Sequence, residues 1–240
     1  MQFISCHNGQ IQKLSSLERD SRAGGTFITG LTDLDELLPG KAFARAAVHE
    51  LLWRKEDGRP LFFAALLARS AAGCGAIIWS DPDRMLYPPA LAAMGIDLSR
   101  LYLLRTKDEA EELWAVAECL RCRGVAATVA SLGRLSQVEA RRMQLAAERG
   151  GGAGILLRPD GKASAQYAAA TRWRIRPATG ERTVQKWQIQ LIHGHGGRIG
   201  QSVILEACRE THCVRADAEL ADRPLETAER PESRPVRIPA

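Results

Sequence analysis

Short apolar segments alternate with longer helical segments through the middle of the chain, and this order constrains the fold more than any other feature of the sequence. Short apolar runs bounded by glycine or polar residues are typical of buried strands, whereas longer runs with apolar residues three or four apart are typical of helices. A chain that alternates in this way forms a mostly parallel sheet with helices on both faces. The predicted strands are residues 46–52, 76–79, 101–104, 125–130 and 155–157, and the predicted helices are residues 61–72, 88–94, 108–121 and 137–149.

The two ends of the chain differ from this alternating core. Residues 171–176, 184–193 and 201–207 are strand-like, and the segment GHGGRIG between the last two predicts a hairpin, so we expect an antiparallel C-terminal edge. Residues 211–240 mix both charges with prolines, which predicts a disordered tail. Residues 1–25 are polar and are interpreted as a short helix or loop outside the core. Between these ends, residues 26–210 are expected to form one α/β domain.

The composition permits some functions and argues against others. With 33 basic and 28 acidic residues the net charge is +5, an excess that allows contact with nucleic acid without requiring it. No run approaches the roughly 18 apolar residues of a membrane span, and the N-terminus lacks the pattern of a secretion signal. We therefore expect a cytoplasmic protein without membrane contact. The 6 cysteines are scattered, which predicts reduced thiols rather than disulfides.

The segment after the first long strand has the position of a phosphate-binding loop but lacks its chemistry. Such a loop reads G-x-x-x-x-G-K-[ST] between a strand and a helix, because backbone N–H groups, a lysine and a hydroxyl together hold phosphate and magnesium. Here Trp53 replaces the first glycine and Gly58 is retained, but Arg59 and Pro60 replace the lysine and the hydroxyl residue. The strand that should end in a magnesium-orienting aspartate has Ala130 instead. The sequence thus predicts no catalytic residue, no nucleotide cofactor and no metal.

Other polar groups have ordinary structural interpretations. Asp81 and Asp83 follow a predicted strand, near where a RecA-like core holds a catalytic acid, but Asp-Pro-Asp is also a common turn, and the turn is the favoured interpretation. Two further pairs lack a complete set of metal ligands: Cys119 with Cys122 in a predicted helix, and His193 with His195 in a glycine-rich turn.

Cationic and aromatic residues alternate in the C-terminal strands. This pattern suits single-stranded DNA, because cations bind backbone phosphates and aromatic rings stack on bases. It is also the pattern of a half-buried strand whose aromatic side packs on the core, and this second interpretation is the favoured one. The candidate residues for DNA or partner contact are Arg172, Trp173, Arg174, Arg176, Lys186, Trp187 and Arg198.

Several blocks of the sequence resemble, in the same order, those of the bacterial ImuA family. They are TGLTDLDELLPG, VHELL, LYPPALAAMGIDLSRLYLLR, ELWAVAECLRCRGVAATVASLGRL, RRMQLAAERGG and AATRWRI, within about residues 26–210. The resemblance implies a RecA-like accessory factor of the SOS mutagenesis cassette. Its implied partners are ImuB, which is a relative of Y-family polymerases, and an error-prone polymerase of the replicative alpha-subunit type.

The expected function is therefore that of a non-catalytic adaptor in translesion synthesis, which binds ImuB through residues 207–240 and RecA through its RecA-like faces. Two alternatives stay open. One is a weakly active ATP-binding recombinase in which Lys55 or Arg59 replaces the missing lysine. The other is a cell-division inhibitor similar to SulA, which also looks like a RecA core without its phosphate loop. The length of the core and the block LYPPALAAMG favour the ImuA family.

Overall fold

The computed structural model describes residues 4–7, 10–13, 25–161, 167–179, 184–208 and 214–217. The strands are β1 (Ile4–His7), β2 (Gln10–Lys13), β3 (Thr26–Phe27), β4 (Phe43–Ala44), β5 (Ala47–Trp53), β6 (Ala76–Ser80), β7 (Leu101–Leu104), β8 (Val125–Ser131), β9 (Ala153–Pro159), β10 (Thr171–Ala178), β11 (Val184–Gly194), β12 (Ser202–Cys208) and β13 (Val214–Asp217). The α-helices are α1 (Thr32–Asp35), α2 (Leu61–Ala72), α3 (Pro88–Ala93), α4 (Glu109–Arg121) and α5 (Gln137–Gly150).

The core of the molecule is a nine-stranded sheet with the order β7-β6-β8-β9-β5-β10-β11-β12-β13. The strands from β7 to β10 in this order run parallel. Strands β10 to β13 pair antiparallel with their neighbours in the sequence. This arrangement follows from the connections, because parallel neighbours need a crossover and antiparallel neighbours need only a turn. The prediction of an α/β fold with a mostly parallel sheet and an antiparallel C-terminal edge is confirmed.

Helices cover both faces of the parallel part of the sheet. Helix α2 packs on one face through residues such as Phe63 and Leu67, and α4 and α5 pack on the other through residues such as Leu120 and Met143. Because both faces are covered, the central strands are almost continuously apolar, as in AVHELLW and VAATVAS. In the described part of the chain, no helix is long and apolar enough to cross a membrane.

Two segments outside the predicted core are strands. Strands β1 and β2 pair as an antiparallel hairpin, which corrects the interpretation of residues 1–25 as a helix or loop for these positions. Strand β13 pairs with β12 at the edge of the main sheet, which corrects the predicted disordered tail at residues 214–217. A short edge strand is held by backbone hydrogen bonds with one neighbour, so its side chains carry little signal. The rest of the predicted tail, residues 218–240, lies outside the described residues.

A fully buried histidine joins β5 to β10. His49 Nδ1 lies 2.8 Å from Thr171 Oγ1, and His49 Nε2 lies 2.9 Å from the carbonyl oxygen of Ala44. The carbonyl can only accept, so Nε2 donates and Nδ1 accepts from the threonine hydroxyl. That hydroxyl in turn accepts from the indole N–H of Trp173 at 2.8 Å. The network is therefore complete only with a neutral imidazole, and burial lowers the pKa of His49 to about 4.

We expect this histidine to make stability depend on pH between about 6.5 and about 4. The pKa of His49 is about 4 in the folded protein and 6.5 when unperturbed, so the unfolded chain binds the extra proton in that range. The contribution of His49 to the free energy of unfolding is complete above pH 6.5 and is lost as the pH falls, at up to ~1.4 kcal/mol per pH unit. Urea unfolding of the wild type and of His49→Gln near neutral pH and near pH 5 measures the difference. Equal pH slopes in the two proteins would contradict this expectation.

Candidate functional site

The loop between β5 and α2 keeps the strand–loop–helix layout of a phosphate-binding loop. Strand β5 ends at Trp53, a 3-10 turn spans Lys55–Asp57, and Gly58 adopts φ 75° and ψ 163°. Pro60 is the N-cap residue of α2. Gly58 is suited to its position because glycine adopts a positive φ without strain. The loop follows the carboxyl end of a parallel strand, which is where open α/β sheets bind their ligands.

The side chains of this loop differ from those of a phosphate site. Glu56 and Asp57 place two carboxylates in the loop, and their charge repels an anion. The guanidinium carbon of Arg59 lies 5.9 Å from the centre of the Trp53 ring, and its Nη2 lies 3.5 Å from Asp83 Oδ2. The proline at position 60 supplies neither a hydroxyl nor an N–H at the start of the helix. The guanidinium at the lysine position of a phosphate loop is therefore directed at other protein groups.

Asp81 closes the turn that follows β6. Its Oδ1 accepts hydrogen bonds from the backbone N–H groups of Met85 at 2.8 Å and Leu86 at 3.1 Å. Asp83, in the same turn, faces Arg59. The prediction that Asp-Pro-Asp forms a turn is confirmed.

A carboxylate from α4, which was not among the predicted site residues, also reaches this edge of the sheet. The buried side chain of Glu112 accepts a hydrogen bond from the hydroxyl of Ser80, the last residue of β6. Burial raises the pKa of Glu112, and the nearby Asp83 and Glu109 add to the rise. A glutamate in the first turn of a helix is usually a solvent-exposed partner of the helix dipole, so its position in the sequence indicated a different role.

The cavity beside Arg59, Ser80 and Asp81 is small. Its volume is about 50 Å³. Ligand sites usually have roughly 300–1,000 Å³, and one liquid water occupies about 30 Å³. The space therefore fits a water or two rather than a nucleotide. Its lining residues are Arg59, Leu61, Trp79, Ser80, Asp81, Pro82, Asp83, Met85, Leu86, Ser131 and Leu157.

The arginines of β10 are held by carboxylates. Arg172 Nε lies 2.9 Å from Glu50 Oε2, Arg174 Nε lies 3.1 Å from Asp160 Oδ2, and Arg176 also binds Asp160. Burial by itself raises the pKa of Asp160, but Arg176 and Arg174 together lower it. Of the three arginines, Arg174 has the most exposed side chain, at 38%. It is therefore the one best placed to meet a further anion.

Trp173 and Trp187 belong to the core. The Trp173 ring is fully buried, with its centroid 5.5 Å from that of Phe43 and 6.1 Å from that of Phe63. Trp187 packs on Phe62 at 5.2 Å. Side chains alternate between the two faces of a strand, so position 173 faces the core and its arginine neighbours face the other side. This placement corrects the hypothesis that the two rings are stacking platforms for DNA and favours sheet packing.

The two remaining candidate cations lie in the C-terminal hairpin. Lys186 Nζ lies 2.6 Å from Glu206 Oε1 on the neighbouring strand. The backbone N–H of Arg198 donates to the carbonyl oxygen of Leu37 at 2.8 Å. Lys186 thus makes a cross-strand ion pair, and the backbone of Arg198 attaches the turn between β11 and β12 to the segment after α1.

A buried ion-pair triad joins the central strands, and two of its members, Glu50 and Arg158, were not among the predicted site residues. Glu50 Oε1 lies 2.8 Å from Arg158 Nη1, and the side chain of Arg158 is fully buried. Together with Arg172, this glutamate connects β5 to both of its neighbours, β9 and β10. The available signal was a single charged residue within each of the apolar runs AVHELLW and AGILLRP, because charges buried in central strands are paired.

The cysteines and histidines of the described residues do not form a group that could hold a metal ion. Burial raises the pKa of Cys119 to about 12, so this residue is a neutral thiol at physiological pH. Cys122 is the C-cap residue of α4. The ring centroids of His193 and His195 are 5.4 Å apart. Burial lowers the pKa of His193, and His195 and Arg172 add to the decrease.

Comparison with known proteins supplies the family. No model of a protein family matches the chain. Two curated relatives, both named Protein ImuA, come from two strains of Caulobacter vibrioides. Each is 31% identical over an alignment of 224 residues, and the match covers 83% of this chain and 92% of the relative. With this identity over most of both chains, we conclude that the chain belongs to the ImuA family.

Proposed function

We propose that the protein is a non-catalytic adaptor of error-prone translesion DNA synthesis in the SOS response, and that it acts in the cytoplasm. Its membership of the ImuA family supports the setting. The observation that carries the non-catalytic part is the loop after β5. Glu56 and Asp57 place two carboxylates in that loop, and Arg59 and Pro60 stand at the positions of the lysine and the hydroxyl residue. The adjoining cavity of about 50 Å³ is too small for a nucleotide.

We also propose that the core is RecA-like. In support, the first long strand, β5, lies in the middle of the sheet between β9 and β10, and the degenerate loop follows it at the carboxyl edge. In open α/β sheets, ligands bind in the crevice at such a change in strand order. Proteins that share a fold can have different functions. A core that keeps this layout without phosphate chemistry therefore functions through the surfaces it presents.

The purified protein is expected to neither bind nor hydrolyse ATP, with or without single-stranded DNA. The reason is that Pro60 lacks a hydroxyl and that Arg59 lies between Trp53 and Asp83. Fluorescent-nucleotide titration and phosphate release, each compared with the double variant Lys55→Ala, Arg59→Ala, measure this. Turnover above that of the double variant would favour the alternative of a weakly active ATPase.

The proposed docking of ImuB involves the C-terminal segment. Residues 218–240 carry both charges and four prolines, a composition that can order on a partner surface at some cost in affinity. A chain ending at Asp217 keeps β13 and is expected to retain ImuB at least about tenfold less well than the full-length chain. A chain ending at Cys208 is a poorer test because it also removes β13 from the sheet.

Co-purification of ImuB with the full-length and shortened chains measures the effect. Circular dichroism and the unfolding midpoint control for loss of the fold. Equal recovery of ImuB by both chains, with both folded, would place the docking surface elsewhere. RecA and an alpha-type error-prone polymerase are further proposed partners, and the same experiment with each in place of ImuB separates their contributions. Direct DNA contact is proposed at Arg174, whose side chain is 38% exposed.

A further inference from the structure

Helix α5 has two distinct faces. Its inner face is buried through residues that include Met143 and Ala147. Its outer face carries exposed residues at spacings of three or four, which places them in one continuous row along the helix. This row, the outer α5 stripe, consists of Val138, Arg141, Arg142, Leu145 and Arg149.

The outer α5 stripe lines a groove of about 590 Å³, to which Arg121 at the end of α4 also contributes. Two apolar side chains lie open in this groove, since Val138 is 78% exposed and Leu145 is 41% exposed. These residues are two helical turns apart, so they point in nearly the same direction. Exposed apolar residues with this spacing are typical of a helix surface that packs against another helix.

The groove is also strongly basic. Arg121 pairs with a glutamate of its own helix, and Arg141 Nη1 lies 3.9 Å from Glu148 Oε1. Within the part of the chain that the structure describes, Arg142 and Arg149 form no ion pair. The guanidinium groups therefore outnumber the carboxylates that compensate them. An occupant with complementary charge is acidic.

We propose that the outer α5 stripe is a docking site for an acidic amphipathic helix of a partner protein. The apolar side of that helix packs between Val138 and Leu145, and its flanking carboxylates pair with Arg142 and Arg149. A protein helix fits the groove better than nucleic acid does. Apolar anchors gain little from a phosphate backbone, and the described residues that line the groove include no aromatic ring on which bases could stack.

This site is separate from the C-terminal segment proposed for ImuB and from the loop after β5. Its residues come from α4 and α5 alone. The groove on α5 is consequently independent of the adaptor function and of the ImuB contact.

The test uses the full-length protein and a fluorescent, hydrocarbon-stapled peptide helix of about three heptads, with leucine at the a and d positions and glutamate at e and g. Anisotropy should show saturable binding that weakens as the salt concentration rises. The double variant Arg142→Glu, Arg149→Glu should bind at least about tenfold more weakly. The double variant Val138→Ser, Leu145→Ser should lose affinity to a similar extent, which simple charge attraction does not predict.

Two controls sharpen the result. The double variant Arg105→Glu, Lys107→Glu makes the same change of charge at exposed positions before α4 and should bind the peptide like the wild type. A peptide with lysine in place of glutamate should bind the Arg142→Glu, Arg149→Glu variant better than it binds the wild type. Circular dichroism verifies that each variant is folded.

Several outcomes would overturn the proposal. The proposal is wrong if the glutamate peptide shows no saturable binding. It is also wrong if the Arg105→Glu, Lys107→Glu control loses as much affinity for the peptide as the Arg142→Glu, Arg149→Glu variant does. Tighter binding of a labelled single-stranded oligonucleotide through Arg142 and Arg149 would assign the groove to nucleic acid. Dimerisation of the wild type that is lost on replacing Val138 and Leu145 would assign it to a second copy of the chain.

Discussion

Replacing Glu50 by alanine is expected to lower the free energy of unfolding by about 3–5 kcal/mol, the range found when one partner of a buried ion pair is removed. The loss arises because Arg158 is fully buried and Arg172 is nearly so. Both would lose the carboxylate that lies between them, and neither guanidinium can give up its proton at physiological pH. Denaturant unfolding followed by circular dichroism measures the change.

A matched control is Glu206→Ala, which removes a carboxylate from the partly exposed pair with Lys186. Its expected cost is at most about 1 kcal/mol. The triple replacement of Glu50, Arg158 and Arg172 by apolar residues of similar size should recover most of the lost stability, because no charge of the triad then stays buried. If Glu50→Ala lowers the free energy of unfolding no more than Glu206→Ala does, the buried triad stabilises the fold no more than a partly exposed ion pair does.

Replacing Trp173 by alanine is expected to lower the free energy of unfolding by about 3–5 kcal/mol, as large-to-small changes of aromatic residues in a core do. The ring is fully buried between Phe43 and Phe63, and its indole N–H is bonded to Thr171. The substitution leaves a cavity in the centre of the sheet and removes the donor that completes the network around His49. Thermal or urea unfolding measures the change.

Trp114 provides the control for this prediction, since it lies on α4 and is 44% exposed. Trp114→Ala should change the stability by about 0.5 kcal/mol or less. Similar effects of the two substitutions would contradict the placement of Trp173 in the core. Arg174→Ala is the better variant for measuring DNA contact, because it removes an exposed cation without opening the core.

The sequence was sufficient to predict the elements whose signals are local. Residues 61–72 and 101–104 were predicted with the bounds that α2 and β7 have in the structure. Their apolar runs and glycine or polar flanks lie within the elements themselves. Strands β1, β2 and β13 were missed because short strands depend on backbone pairing with a neighbour rather than on their own side chains.

The candidate site likewise has one part that could be predicted from local sequence and another that depends on the fold. The position of the loop from Trp53 to Pro60 follows from motif spacing, which is a local property. The contact of Arg59 with Asp83 depends on how β5 and β6 are arranged in the sheet. Glu50 and Arg158 are 108 residues apart along the chain. The sequence therefore indicates that each buried charge needs a partner, but the three-dimensional fold decides which partner it has.

Strand β5 is synthesised early, whereas both of its neighbours in the sheet are synthesised late. Glu50 meets Arg158 and Arg172 at separations of 108 and 122 residues. At translation rates of about 5–20 residues per second, the apolar segment AVHELLW leaves the ribosome roughly 5–25 seconds before a partner strand exists. During that interval its backbone and apolar side chains are open to wrong pairing. The yield of native protein in the cell should therefore depend on the rate of translation and on chaperones that bind nascent chains.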